Sequence, residues 1–229
     1  MLCTKLLIDI FDALYSTFGP QHWWPAKSDF EVIVGAILTQ SVSWVNVEKA
    51  IRNLKKESLL SIDAILEADE KSLAGLIKST RFYNQKAAKL KNFCNYIKTR
   101  YTGDIYEMFK NDVLKIRQEL LSIKGLGAET ADSIILYAAK KPIFVVDSYT
   151  KRVFFRMGFF DDSIDYQSMQ DFFMKHLPKD TKLYNEYHAL IVKLGKDYCL
   201  SRQPKCEVCP LNDHFCTSKH NIQIMLKST

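Results

Sequence analysis

The sequence lacks both a run of 18 apolar residues and any sustained alternation of apolar and polar residues. The first absence argues against a helix that spans a membrane, and the second leaves helices as the main secondary structure. Internal repeats are absent as well. Near the amino terminus, one lysine is followed by an aspartate within an apolar segment, which is typical of an amphipathic helix and not of a signal peptide. We therefore expect an all-α protein with no membrane partner.

The composition leaves room for one large domain or two small ones. The chain has 229 residues, of which 47% are hydrophobic, and this is enough for a substantial core. Its formal net charge of +6 suits a polyanionic partner but does not by itself identify one. Nothing in the sequence indicates an obligate oligomer, so we expect a monomer.

Apolar residues recur at helical spacing along most of the chain and are interrupted by turn-forming residues. Ser28 and Glu31 form a capping-box pattern before an almost entirely apolar segment, which predicts a buried helix. The predicted helices span residues 3–18, 30–39, 43–56, 61–68, 70–78, 81–101, 112–122, 128–140, 147–157, 165–176 and 183–197.

One of these helices begins in a segment with basic residues and no acidic ones. Between Lys78 and Arg100 there are seven lysines and arginines, and Phe82 and Tyr83 lie among them. A charge run is usually a solvated helix face. Because this run has one sign and adjacent aromatic residues, we interpret it as favouring contact with phosphates.

A tight turn joins the predicted helices 112–122 and 128–140. Gly125 and Gly127 flank one apolar residue in this turn, where glycine permits a positive φ and the close approach of another backbone. The second helix is expected to begin at about Ala128, so that free N–H groups and the positive end of the helix dipole face outward. The turn is therefore a candidate phosphate site.

A carboxylate, Asp147, follows Gly127 by twenty residues. It comes after the apolar run 142–146 and before the basic, aromatic segment 148–152. Aspartate at this place is a good N-cap for the helix that follows. It is also a candidate catalytic group, and one carboxylate can fill both roles.

Four of the six cysteines fall near the carboxyl terminus, with six, two and six residues between them. They are Cys199, Cys206, Cys209 and Cys216. Four thiolates this close in sequence can bind one metal centre, either zinc or an iron–sulfur cluster. A zinc ribbon usually has two Cys-x-x-Cys pairs, whereas this chain has one. Cys3 and Cys94 lie on apolar helix faces and are expected in the core.

The Gly-x-Gly turn, Asp147 and the cysteine spacing together resemble the helix-hairpin-helix DNA glycosylases of the endonuclease III superfamily. The similarity extends from about residue 23 to residue 216 and includes the Tyr-Asn-Gln-Lys-Ala stretch at 83–87. It implies two helical domains. One is a six-helix domain, 27–140, that ends in the hairpin, and the other consists of 1–26 and 141–229.

The resemblance also implies roles for individual residues. The turn, with Lys124, Gly125 and Gly127, would grip the DNA backbone. Asp147 would stabilise the oxocarbenium-like sugar that forms as the bond to the base breaks, or orient a water that attacks it. Gln40, at the junction of two predicted helices, would enter the duplex where the flipped nucleotide was. The alternative is that Gln40 only satisfies backbone groups of its own loop.

For the cysteines, the resemblance implies a [4Fe-4S] cluster in the loop 199–216. The family's common spacing is six, two and five, so this chain has one extra residue before Cys216. Such a cluster would mainly fix the carboxyl-terminal loop and present Arg202 and Lys205 to DNA.

Bifunctional members of the family carry a lysine 18 residues before the aspartate, and this amine forms a Schiff base with the sugar. The corresponding residue here is Glu129, which cannot do so. We therefore predict a monofunctional glycosylase that uses water, with Lys124 or Lys140 as an alternative, weak amine nucleophile.

The lesion is suggested by residues that resemble the pocket of the 3-methyladenine glycosylases. They are Trp23, Trp24, Pro25, Trp44 and Glu129. A 3-methylated purine is cationic, so indole faces attract it, and it is already a good leaving group. In the alternative interpretation, Trp23 and Trp44 belong to the core, one of the two adjacent tryptophans covers a helix end, and the pocket accepts another base. The other hypotheses are an enzyme for oxidised pyrimidines, an enzyme for mismatched or deaminated bases, and a non-catalytic DNA-binding protein. The expected partner is double-stranded DNA with damaged bases, in a bacterial or archaeal cytoplasm and associated with the nucleoid.

Overall fold

The computed structural model describes residues 2–216, apart from the side chains of Asp213 and His214. All regular secondary structure in this part of the chain is helical, which confirms the all-α prediction. The α-helices are α1 Leu2–Phe18, α2 Asp29–Leu38, α3 Trp44–Lys56, α4 Ile62–Glu67, α5 Glu70–Leu76, α6 Tyr83–Tyr101, α7 Ile105–Phe109, α8 Val113–Ser122, α9 Ala128–Ser133, α10 Ser148–Arg156, α11 Tyr166–His176 and α12 Thr181–Asp197. Short 3₁₀ segments occupy Lys78–Thr80 and Cys206–Val208, and π-helical turns occupy Ile134–Ala138 and Asn212–Cys216. Of the described helices, none has the length and apolar character needed to cross a bilayer.

The chain divides into two compact units. One unit is continuous, Trp24–Lys141, and we call it the central unit. The other combines Met1–Trp23 with Pro142–Thr229, and we call it the terminal unit.

The central unit is built around α2. Every residue from Glu31 to Leu38 is buried, as the apolar sequence predicts. The helix packs against α3, α6 and the π-helical turn Ile134–Ala138. Ile33 and Ile37 are fully buried. Burial of each such side chain contributes about 1.5–3 kcal/mol to stability.

The start of α2 differs in one detail from the predicted capping box. The Ser28 hydroxyl accepts a hydrogen bond from the Glu31 N–H at 3.2 Å, as expected of an N-cap. The Glu31 carboxylate, however, accepts from the N–H of Lys27 at 3.0 Å. Glu31 also pairs with Lys55 at 2.6 Å, and this pairing offsets the cost of burying its charge.

Two helical segments depart from the sequence prediction. Helix α7 was not predicted, because its five residues are too few to show a helical period. The second hairpin helix was predicted to run to residue 140 but becomes π-helical from Ile134, where the Ala139 N–H donates to the Ile134 carbonyl at 3.0 Å. A π-turn changes the hydrogen-bond period without changing the apolar pattern, so the sequence does not reveal it.

The basic residues from Lys78 to Arg100 do not all lie on one exposed surface, and contact of the exposed ones with phosphates stays a prediction. Lys86 is only 2% exposed. Lys91 donates to two carbonyls at the end of α4, and Lys98 pairs with Asp63 at 2.7 Å. The residues follow each other along α6 and therefore point to different sides of the helix, which the charge run alone does not distinguish.

The terminal unit has an aromatic core. Phe144 stacks on Phe173 with ring centroids 4.2 Å apart, and Tyr184 meets the Phe144 ring edge-on. The Tyr187 hydroxyl donates to the Leu7 carbonyl at 2.8 Å, which joins α12 to α1. Phe144 is also the anchor of the segment that leads into α10.

Candidate active site

Asp147 lies at the start of α10, directly after a buried segment. The amide of Gln170 donates to the Phe144 carbonyl at 2.6 Å and holds that segment in place. Asp147 Oδ1 accepts hydrogen bonds from the Thr150 N–H at 2.7 Å and from the Thr150 hydroxyl at 2.9 Å. The predicted N-cap is therefore confirmed. The same contacts give the carboxylate a fixed orientation.

The other oxygen of this carboxylate faces a histidine of α12. Asp147 Oδ2 lies 3.7 Å from His188 Nε2, and the two side chains are 12% and 8% exposed. Burial by itself raises the pKa of Asp147, but His188 and the hydrogen bonds of Thr150 outweigh it and hold the pKa below its usual value. The carboxylate is therefore ionised at neutral pH. The sequence analysis missed His188, although a histidine within the apolar face of α12 is a signal of a buried polar contact.

Helix α10 is also fixed to the end of α12. The guanidinium of Arg152 donates to the carbonyls of Gly195 and Cys199, each at 2.8 Å, and lies over the Tyr149 ring. Arg156, one turn later, donates to the Leu200 carbonyl at 2.6 Å and to Cys199 Sγ at 3.3 Å. The helix that Asp147 caps thus holds the first residues of the cysteine loop.

The four cysteines line one cavity of about 330 Å³ in the terminal unit. Arg156, Tyr198, Pro204 and Asn212 complete its wall. Within the described residues, no three Cys, His, Asp or Glu side chains are grouped closely enough to hold one metal ion. Burial raises the pKa of the Cys209 thiol, and the charges of Cys199 and Cys206 add to this rise. The four cysteines therefore line one cavity, and their binding of a metal centre stays a prediction.

Arg202 and Lys205 lie between the first two cysteines and are exposed. The backbone of this segment is held where the Lys205 N–H donates to the Tyr198 carbonyl at 2.9 Å. Both side chains are accessible, as contact with DNA would require.

The hairpin turn lies between α8 and α9, and α9 begins at Ala128 as predicted. Gly125 has a φ of +98°, and a Cβ there would lie 2.6 Å from the Lys89 side chain, so glycine is required. Gly127 differs from the prediction because its φ is −102°, and a Cβ there would contact nothing within 4 Å. Any residue can adopt this φ, and the space where a Cβ would lie is empty.

An ion pair joins the two hairpin helices. Arg117 of α8 binds the carboxylate of Asp132 in α9 through two nitrogens, at 2.7 and 3.2 Å. Asp132 is fully buried, so this bidentate contact satisfies a charge that would otherwise be costly to bury.

Gln40 lies between α2 and α3, beside the hairpin. Its amide nitrogen donates to the Thr130 hydroxyl at 2.7 Å, and its amide oxygen accepts from the Lys89 ammonium. These partners are side chains of α9 and α6. The Gln40 side chain is therefore oriented by the hairpin and α6. In the alternative interpretation it would bind backbone groups of its own loop, whereas both of these partners are side chains of other elements.

Three aromatic residues of the central unit form a cluster. The Trp24 ring meets Trp44 edge-on with centroids 5.2 Å apart, and it lies 5.2 Å from the Tyr137 ring. Trp24 covers α2 at Gly35, where a Cβ would lie 3.1 Å from the indole. Trp44 donates from its indole nitrogen to Glu48 at 2.9 Å. Tyr137 was missed, because the predicted second hairpin helix gave no reason to choose one of its apolar residues.

The remaining predicted residues are distributed as follows. Pro25 is exposed next to Trp24, whereas Trp23 is part of the terminal unit and partly buried. Glu129 is exposed in the first turn of α9. Lys124 is exposed, and the ammonium of Lys140 lies 3.3 Å from Asp29.

Comparison with known proteins gives these sites a context. The family model described as HhH-GPD superfamily base excision DNA repair protein matches residues 34–179. A protein of Methanocaldococcus jannaschii, assigned as a DNA repair glycosylase, is 48% identical over 94% of this chain and 97% of its own length. Endonuclease III of Thermotoga maritima is 27% identical over 81% of each chain.

Two solved structures are similar to most of this chain. The H. pylori 3-methyladenine DNA glycosylase MagIII, bound to 1,N6-ethenoadenine, has a TM-score of 0.74 and 28% identity, over 83% of this chain and 97% of that one. A non-covalent endonuclease III–DNA complex has a TM-score of 0.82 over 96% of this chain and 98% of that one. At 23% identity, the second similarity concerns the fold alone.

Proposed function

Because this chain belongs to the HhH-GPD superfamily of base excision DNA repair proteins and is a DNA glycosylase, we propose that it excises alkylated purines such as 3-methyladenine. We further propose that it is monofunctional and leaves an intact strand. The observation that carries the choice of substrate is the cluster of Trp24, Trp44 and Tyr137. The similarity to MagIII, which is named a 3-methyladenine DNA glycosylase, supports the same choice.

The aromatic cluster suits a cationic base. The faces of indole and phenol rings attract cations, by about 2 kcal/mol or more when the site is desolvated. An alkylated purine carries positive charge and pairs weakly, so it costs less to flip out of the helix than a normal base. Because such a base is already a good leaving group, the enzyme needs little acid catalysis.

We propose Asp147 as the catalytic carboxylate. As the bond to the base breaks, positive charge develops on the sugar, and a fixed carboxylate nearby stabilises it or orients the attacking water. Two properties support this role: the orientation imposed by Thr150 and the pKa that stays below its usual value next to His188. We also propose Trp23 and Pro25 as base-pocket residues, as the sequence resemblance predicts.

The absence of strand cleavage rests on Glu129. A lyase needs an amine that forms a Schiff base, and a carboxylate cannot supply it. We propose that Glu129 instead adds negative charge beside a cationic base. Lys140 is a poor substitute because its ammonium pairs with Asp29. Lys124 is exposed and remains the alternative amine.

We propose that the hairpin and the cysteine loop hold the DNA. Lys124, Gly125 and Gly127 would contact one phosphate through the start of α9, where the open space at Gly127 admits a backbone. Gln40 would fill the gap left by the flipped nucleotide. Arg202 and Lys205, which are exposed, would bind phosphates of the DNA.

We propose that Cys199, Cys206, Cys209 and Cys216 bind a [4Fe-4S] cluster. The shared cavity of about 330 Å³ supports this donor set. Thiolates are the ligands that such clusters use, and several irons separate them more widely than one ion does. When bound, the cluster would supply mainly a rigid loop. Arg156, which binds both Cys199 Sγ and Leu200, would transmit that rigidity to α10.

The second candidate is an endonuclease III-like enzyme for oxidised pyrimidines, which the Thermotoga maritima relative favours. We prefer the alkylpurine activity to this second candidate because Glu129 occupies the position at which bifunctional members carry the lysine that forms the Schiff base. In either case we expect a monomer that acts on double-stranded DNA in a bacterial or archaeal cytoplasm, at the nucleoid.

Two duplexes separate the candidates, one with methylated purines and one with oxidised pyrimidines. We expect release of a methylated purine from the first, with strand breaks only after alkali. Direct breaks in the second duplex, without release from the first, would instead assign the endonuclease III-like activity.

A further inference from the structure

Lys86 is a lysine of α6 whose ammonium lies in the core of the central unit. The side chain is 2% exposed. Its Nζ donates to the Leu38 carbonyl at 2.8 Å and to the Thr80 carbonyl at 2.6 Å. Burying an ammonium is unfavourable, and burial together with the charge of Lys89 lowers the pKa of Lys86 to about 8. In this buried position, the hydrogen bonds to the two carbonyls are the contacts that offset the cost of burying the ammonium.

Both carbonyls belong to the last residue of a helical segment. Leu38 is the last residue of α2, where carbonyls have no partner within the helix, and Gln40 follows two residues later. Thr80 ends a 3₁₀ segment and precedes Arg81 and Phe82, whose φ values are +55° and +44°. Phe82 is 61% exposed. One ammonium therefore joins two turns that no helical hydrogen-bond ladder fixes.

Lys89, one turn further along α6, completes this arrangement. Its ammonium donates to the amide oxygen of Gln40, and its stem passes over Gly125 of the hairpin turn. Lys86 thus holds the main chain before Gln40, and Lys89 holds the Gln40 side chain. Thr130 binds the opposite end of the same amide.

We propose that Lys86 and Lys89 are positioning residues for base flipping, because they order Gln40 before the protein meets DNA. The inference rests on the proposed entry of Gln40 into the duplex. A side chain and loop that are already ordered lose little entropy when they insert, whereas a mobile loop must be ordered in the same step. Neither lysine needs to touch the reacting atoms.

The test uses Lys86→Met with a matched control on the same helix. Lys91 also donates to two carbonyls, Leu66 at 2.9 Å and Ala68 at 2.6 Å, but these lie at the end of α4. Lys91→Met therefore removes the same kind of contact away from Gln40. We expect Lys86→Met to slow single-turnover base release by about 10- to 100-fold while its affinity for undamaged duplex is retained. Lys91→Met should release base at nearly the wild-type rate.

A double-mutant cycle with Gln40→Ala separates positioning from a general structural defect. If Lys86 acts through Gln40, Lys86→Met slows a Gln40→Ala enzyme much less than it slows the wild type. Multiplicative effects of the two substitutions would overturn the proposal. If Lys86→Met does not fold, the same double-mutant cycle is measured with Lys89→Met and Gln40→Ala, because Lys89 is partly exposed.

The outcomes also distinguish this inference from the proposed function. Wild-type protein that releases no damaged base would refute the proposed function itself. If Gln40→Ala releases damaged base as fast as the wild type, Gln40 has no role in base flipping. This result would overturn the positioning proposal and leave the proposed function intact.

Discussion

Asp147 Oδ2 faces His188 Nε2 across 3.7 Å, while Asp147 Oδ1 accepts two hydrogen bonds from Thr150. Each oxygen of the carboxylate thus has its own neighbour, and both neighbours favour the ionised form. The same residue caps α10, whose Arg152 and Arg156 hold the start of the cysteine loop. The proposed catalytic group, the helix and the proposed cofactor site therefore form one connected structure within the terminal unit.

This environment predicts how Asp147 contributes to stability as the pH changes. Its folded pKa lies below its unfolded pKa, so its stabilising contribution is present above about pH 4 and is lost as the pH falls through the folded pKa. Asp147→Asn removes the charge but keeps the cap, because asparagine caps helices as well as aspartate does.

The measurement is a series of urea unfolding midpoints for wild type and Asp147→Asn between neutral pH and about pH 3. We expect the wild type to lose more of its free energy of unfolding than the variant over the acid part of this range. A difference that stays constant with pH would show that the charge of Asp147 does not stabilise the fold.

The aromatic cluster predicts a selective effect of Trp44→Ala. Loss of a desolvated cation–π contact of about 2 kcal/mol corresponds to roughly 30-fold slower excision of a cationic purine. Affinity for undamaged DNA should change little. Tyr106→Ala, which removes an aromatic ring that is 55% exposed elsewhere in the central unit, is the control. If excision and DNA affinity fall equally in Trp44→Ala, Trp44 is structural.

Glu129 predicts that an amine at this position introduces strand cleavage. Glu129→Lys should form a covalent adduct with damaged DNA that borohydride traps, whereas wild type and Glu129→Gln should not. The assay is the appearance of a slower band on a denaturing gel. A trapped adduct of the wild-type protein would contradict the monofunctional assignment and point to Lys124.

The cysteine cavity predicts iron and acid-labile sulfide in equal amounts in protein purified without oxygen. Cys206→Ser should lower both and reduce the thermal stability of the protein, because the loop loses its cross-link. Cys3→Ser, which changes a buried cysteine far along the sequence from the loop, should leave the iron content unchanged. Stoichiometric zinc in place of iron would instead support the zinc hypothesis.

Local sequence patterns predicted most helices and the Asp147 cap, because apolar spacing and capping residues act over a few positions. The contacts of His188, Tyr137 and Lys86 were not predictable in this way. Each of these side chains contacts a residue that lies many positions away in the sequence, so a local pattern does not reveal the contact. Lys86 is the clearest case, since a lysine among six other basic residues gives no sequence signal of burial.

The most direct measurement is chromatography of the bases released from methylated duplex DNA by wild type and by Asp147→Asn, under single-turnover conditions. We predict free 3-methyladenine from the wild type, with strand breaks only after alkali, and about 10²- to 10³-fold slower release by a variant that still binds DNA. Comparable release by Asp147→Asn would contradict the catalytic role of this carboxylate. Absence of released purine from the wild type would contradict the proposed substrate.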